Sequence, residues 1–175
     1  MTWRADLPYR SESTKICWEV APYLRGRGLD IGAGEFRVLP HVTTVDNGDH
    51  AKFGFSVKPD IVSDCRKLDV IASQTQDFVY SSHLIEHVPY EDTPDMFREW
   101  VRTLKPGGYL IVYAPDEDTY PKVGEPGANP THEWNVSYQR VIDSMDKLGR
   151  GWDLQDFQKR SEGDEYSLLF VFKVQ

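Results

Sequence analysis

The spacing of apolar positions changes repeatedly along the chain, and each change predicts a new element. After an aperiodic opening, MTWRADLPYR, read as an arm over residues 1–10, SESTKICWEVAPYL places Ile16, Val20, Tyr23 and Leu24 at helical spacing behind serine caps. Pro22 limits how far that helix runs. RGLDIGAG gives a short apolar strand ending in glycines, and HVTTVDN and DIVSD repeat a β-branched run closed by an aspartate. CRKLDVIASQTQ predicts a short helix and DFVYSSHL a strand. EDTPDMFREWVRTLKPGG predicts a helix with Asp92 or Thr93 as cap, Pro94 in its first turn, and Met96, Phe97, Trp100, Val101 and Leu104 on its apolar side. KPGG stops it.

YLIVYAPD is a continuous apolar run of buried-strand length. Residues 117–133 hold Pro121, Pro126, Pro130 and several glycines, which predicts a long, lid-like loop. NVSYQRVIDSMDKLG sets Val141, Ile142, Met145 and Leu148 on one helical face, and the chain closes with two strand-like runs, WDLQDFQKR and SLLFVFKV. Alternating strands and helices predict an α/β fold: a Rossmann-like, seven-stranded, mostly parallel sheet with helices on both faces. The two final strands, joined by a short turn, form its antiparallel edge. An exposed SLLFVFKV run would also offer a surface for a homodimer.

Composition narrows the class. The 175 residues suit a single domain spanning 1–175, and 39% hydrophobic with 27% charged residues is the balance of a folded globular chain. A net charge of −8 argues against broad contact with duplex nucleic acid, which needs clustered Lys and Arg. Two cysteines, Cys17 and Cys65, and an opening without a signal-type apolar region point to a cytoplasmic protein with reduced thiols. No apolar run approaches the length of a membrane span.

Two motifs carry candidate chemistry. SSHLIEHV contains His83, Glu86 and His87 in the order H-x-x-E-H, the zinc pattern of inverted-motif metallopeptidases. Zinc ligation of that kind needs His83 and His87 one turn apart on a helix. DFVYSS reads as strand up to His83, and Pro89 disfavours helical geometry at Val88, so no metal is assigned. GLDIGAGEFRV invites a dinucleotide-loop reading, but Arg37 stands where the third glycine belongs. Asp46 follows Gly34 by only twelve positions, against about twenty in dinucleotide folds. Asp30, two turn glycines and an acid ending the next strand still make a coherent nucleoside site: glycine admits a close ligand, and a carboxylate accepts from vicinal hydroxyls.

Taken in order, LDIGAG (29–34), VDN (45–47), SDCRKL (63–68), DFVYSSHLIEHV (77–88) and LKPGGYLIVYAPD (104–116) resemble the class I S-adenosylmethionine-dependent methyltransferases. The shortened crossover GEFRVLPHVTTVD and the later THEWN are similar to a compact subgroup often linked to glycan assembly. The resemblance implies S-adenosylmethionine as cofactor and S-adenosylhomocysteine as product. It implies that Asp30, Gly32, Ala33 and Gly34 border the methionine part and ribose, and that Asp46, with Asn47 beside it, takes the ribose hydroxyls. Asp64 would accept from the adenine amino group, the Cys65 amide would lie beside the ring, and Ser81 and Ser82 would face the cofactor. The chain departs from the family in GDHAKFGFSVKP, too polar and glycine-broken for a good helix, and in lacking a recognisable substrate-binding insertion.

Methyl transfer from a sulfonium is an in-line displacement, so the protein must chiefly hold an acceptor about 3 to 3.5 Å from the methyl carbon and exclude water. The acceptor expected is an oxygen or nitrogen of a small or glycan-type molecule. A hydroxyl needs a base, for which His83, Asp116 and His132 are the candidates; Tyr120 and Trp134 either stack on an acceptor or pin their loop. A non-catalytic S-adenosylmethionine-binding protein is the second reading, and a zinc peptidase of the H-x-x-E-H type the third.

Overall fold

A computed structural model describes residues 11–48 and 58–175. The expected arm at 1–10 and most of GDHAKFGFSVKP, with His50, lie outside the described residues.

Seven strands form one sheet: β1 Gly28–Ile31, β2 Thr43–Asp46, β3 Ile61–Val62, β4 Gln76–Ser82, β5 Leu104–Pro115, β6 Trp152–Arg160 and β7 Ser167–Val174. Their order is β3-β2-β1-β4-β5-β7-β6, with the first five parallel and β7 antiparallel to both neighbours. SLLFVFKV, read from sequence as exposed, is therefore an interior strand, and Leu168 to Phe172 are almost fully buried. β6 holds the edge instead, which removes the surface on which a homodimer was expected.

Burial on both faces explains the continuous apolar runs of β5 and β7. On one face Leu29, Ile31, Val79, Leu110, Val112 and Phe170 pack under α3 (Thr93–Thr103) and α4 (Tyr138–Asp146). The other face, with Phe78, Tyr80, Ile111, Tyr113, Leu169 and Val171, is covered by Ile16, Val20 and Leu24 from the amino-terminal segment. That segment forms two short helices, α1 (Glu12–Lys15) and α2 (Cys17–Val20), rather than one. Ser11 and Thr14 cap α1 reciprocally, and Ile16 leaves helical geometry at φ −108°, ψ 15°.

CRKLDVIASQTQ, expected as a helix, is a series of turns. Its backbone makes isolated turns, such as the Ile71 amide donating to the Leu68 carbonyl at 2.8 Å, and other bonds go to α3. The Leu68 amide donates to Glu99 Oε1, and the Arg102 guanidinium donates to the Leu68 and Ile71 carbonyls. Leu68 and Ile71 are thereby held in the core, a tertiary solution that overrides local propensity. Asp92 precedes α3 without a side-chain cap bond, because its carboxylate pairs with Arg66.

Register fixes where the strands end. Asp30 lies opposite Thr44 and Tyr80, and Ile31 opposite Val45 and Ser81, so β1, β2 and β4 finish at one rim of the sheet. Among the described residues no helix is long and apolar enough to cross a membrane.

Trp100 is fully buried under the sheet, with its indole N–H donating to the Cys65 carbonyl at 2.7 Å. Trp100→Ala is expected to cost about 3–5 kcal/mol through the cavity and the orphaned carbonyl, read as a lowered urea midpoint in equilibrium unfolding. A loss below about 1 kcal/mol would show that α3 does not anchor this face.

Candidate functional site

The rim formed by the carboxyl ends of the parallel strands gathers the acids and glycines picked out from sequence, as ligand sites of open α/β sheets require. Gly32 follows β1 at φ +76°, and a Cβ there would come within 2.8 Å of the Leu84 side chain; Gly34 sits at φ +57° with open space where its Cβ would be. Both positions demand glycine, one for room and conformation, the other for conformation alone. Ala33 between them is buried.

Asp46 at the end of β2 is buried, and its two oxygens accept the amides of Gly34 (3.2 Å) and Gly48 (2.9 Å). It thus fastens the glycine turn to β2. Asn47 beside it is exposed. Asp30 is fully buried; Oδ2 accepts the Val38 amide at 2.7 Å, while Oδ1 has no hydrogen bond among the described residues. Burial pushes its carboxyl up to about 7, against the opposing pull of the Val38 amide and Arg37.

Further along the rim the sequence expectations meet competing partners. Asp64 follows β3 as expected, yet its carboxylate is chelated by Arg66, which approaches Oδ1 through Nε (3.1 Å) and Oδ2 through Nη2 (2.8 Å). Those bonds hold Asp64 below the usual carboxylate range. Arg66 escaped the sequence reading, although a basic residue two positions after an acid was the available signal. Cys65 packs its sulfur 4.0 Å from that of Met96, and burial pushes its thiol up to about 12. Ser81 spends its hydroxyl on the Ile31 carbonyl (3.0 Å), tying β4 to β1, and Ser82 is buried at the strand's last position.

The three base candidates differ in what they are free to do. His83 occupies left-handed backbone at φ +50°, and its ring Nε2 lies 3.0 Å from Ser167 Oγ. Burial, with His132 and Lys15 nearby, lowers it to about 3, so the ring is neutral at pH 7. Asp116, just past β5, is ion-paired with Lys159 at 2.9 Å and accepts the Asp118 amide. His132 in the 117–133 loop packs against His87 and Tyr120, with ring centroids at 4.8 and 5.2 Å. Burial and His87 lower it to about 4.

Asp116, Tyr120 and His132 line a small hollow of about 10 Å³ with Pro121, Trp134 and Val136. Trp134 itself is a pin, its indole N–H shared by the Ile85 and Val88 carbonyls at 3.0 Å each. A hollow of about 540 Å³, lined by Tyr23, Asp77, Lys105 and Tyr109, lies at the opposite rim, away from these acids. His83 and His87 stand on a strand end and a 3-10 turn (Ile85–His87), so they do not share the helical face an H-x-x-E-H peptidase needs.

Residues 29–112 match a methyltransferase domain family. No curated protein matches the sequence. Solved structures share the fold. A protein from Pyrococcus horikoshii is 23% identical, with 95% of this chain and 91% of that one covered at a TM-score of 0.67. An S-adenosylmethionine-dependent methyltransferase from Mesorhizobium loti is 17% identical, with 93% and 98% covered at 0.67. Another from Aquifex aeolicus is 18% identical, with 97% and 95% covered at 0.66. The matched segment, 84 of the 175 residues, carries the glycine turn, the rim acids and the strands that hold them, so the part of the chain that builds the rim is similar to a methyltransferase domain.

Proposed function

We propose that the chain methylates a small molecule, at an oxygen or nitrogen, and that the acceptor enters between the 117–133 loop and the ends of β4 and β5. One observation carries this reading: the hollow lined by Asp116, Tyr120 and His132 opens on the same rim as the Gly32–Gly34 turn. Its present volume holds about one water, so the part of the loop before His132, with Tyr120 and Pro121, must swing outward as a lid before an acceptor can bind, while His132 stays where the Glu133 amide holds it against Glu86. A glycan-type hydroxyl fits the polar lining and the aromatic ring of Tyr120, which offers a stacking face.

Within this reading Asp30 meets the cationic methionine part of the cofactor, Asp46 accepts from the ribose hydroxyls and Ser82 borders the sulfonium. Asp64 reaches adenine only by sharing its carboxylate with Arg66. His132 is the acceptor-facing group, since Asp116 is committed to Lys159 and His83 to Ser167.

Incubation with a panel of nucleotide-sugars, free sugars and small amines is expected to release S-adenosylhomocysteine with at least one. His132→Ala should lower kcat about 100-fold or more while leaving S-adenosylmethionine affinity unchanged. Wild-type turnover by that variant would remove His132 from the acceptor site, and cofactor binding without turnover on any acceptor would favour a binding protein.

A carboxyl raised to about 7 must give up its proton to receive a cation, so cofactor binding is linked to proton release below that pH. The affinity of the wild type relative to Asp30→Asn should therefore rise between about pH 6 and pH 8 in calorimetric titrations, by at most about tenfold per unit. Parallel profiles would place the cofactor's cation elsewhere.

A further inference from the structure

Methyl transfer leaves one buried group without a role. Glu86 is fully buried, and among the described residues neither carboxylate oxygen accepts a hydrogen bond. Uncompensated burial of a carboxylate is costly, whether ionised or neutral, because the neutral acid must still place its proton on an acceptor. Three imidazole nitrogens surround Oε1 instead: Nδ1 of His83 at 3.6 Å, and Nε2 of His87 and of His132, each at 3.9 Å. These separations are too long for hydrogen bonds. They approach those of groups facing a common centre: ligand atoms about 2.1 Å from a tetrahedral ion stand roughly 3.4 Å apart. Glu86, His87 and His132 each bring one such atom within 4.8 Å of the other two.

The surroundings aim these atoms. His87 Nδ1 lies 3.1 Å from the Thr131 carbonyl, which can only accept, and 3.0 Å from the Thr131 hydroxyl, whose own hydrogen goes to Asn129 Oδ1 at 2.8 Å; an Nδ1–H satisfies both oxygens and leaves the Nε2 lone pair toward Glu86. The Glu133 amide donates to the Glu86 carbonyl at 2.7 Å, locking the loop that bears His132 onto the turn that bears Glu86 and His87. The H-x-x-E-H motif fails as a helical zinc pair, and the loop supplies a different second histidine.

We propose that Glu86, His87 and His132 bind one divalent transition-metal ion, leaving a coordination position open to the methyl acceptor. Two imidazoles and a carboxylate suit zinc, manganese, iron or cobalt better than magnesium or calcium, and three protein ligands with an open position are the pattern of a catalytic ion. Resting on the methyltransferase reading, this narrows the acceptor class to a hydroxyl, whose acidity the ion raises. On coordination the hydroxyl releases its proton to solvent. Its oxygen then bonds to the methyl carbon as the carbon–sulfur bond breaks with its electron pair left on sulfur. The sulfonium becomes the neutral thioether of S-adenosylhomocysteine, and the methyl ether leaves the ion.

The test is titration of the chelator-stripped full chain with CoCl2 and ZnCl2, read by cobalt visible absorption and calorimetry, with S-adenosylmethionine affinity measured on the same samples. One ion per chain is expected at a Kd of about 10 µM or below. Glu86→Gln and His132→Ala should each weaken it at least about tenfold. Substitution of His132, on the loop, should leave cofactor affinity intact and the chain folded at the assay temperature, separating loss of the ion from loss of the fold. A wild type that binds S-adenosylmethionine but takes up neither ion overturns the proposal, as does unaltered ion binding by His132→Ala. Ion uptake without cofactor affinity would uphold the site and overturn its role in methyl transfer.

Discussion

A sheet covered on both faces keeps its backbone bonds inside the ladder and its side chains in apolar layers, which leaves the strand ends as the place for polar chemistry. The rest of this molecule follows from that constraint. The register that aligns β1, β2 and β4 brings Asp30, Asp46 and Ser82 to one rim, and the antiparallel β7 seals the far side with Phe170 and Phe172. Burial then sets the electrostatics: Asp46 is satisfied by two glycine amides, whereas Asp30 keeps one oxygen without a hydrogen bond and is pushed toward protonation.

Much of this was legible along the chain. The strands carry period and composition signals that survive packing, and the glycines after β1 announce a backbone conformation that only they tolerate. The failures share a cause, which is that long-range partners are invisible to local pattern. CRKLDVIASQTQ has helical composition but closes only isolated turns and ties Leu68 to Glu99 and Arg102 of α3. SLLFVFKV reads as a terminal strand, yet nothing local says that WDLQDFQKR lies outside it.

The same blindness applied to the H-x-x-E-H motif. Local reasoning correctly separated His83 from His87, because β4 runs to Ser82 and only a 3-10 turn follows. His132 is a candidate base from sequence, but nothing local joins it to the motif, whereas the loop, pinned by Trp134, folds that ring back beside Glu86. A residue's chemistry here depends on which loop closes over which strand end, and that is a property of the fold alone.

The central claim is that the rim of β1, β2 and β4 is a cofactor site, and calorimetric titration with S-adenosylhomocysteine of the wild type beside Asp46→Ala tests it most directly. The account predicts micromolar binding by the wild type and loss of at least about tenfold in the variant, since a charge-assisted pair of hydrogen bonds to the ribose disappears. Equal affinity of the two proteins, or none in the wild type, would contradict it.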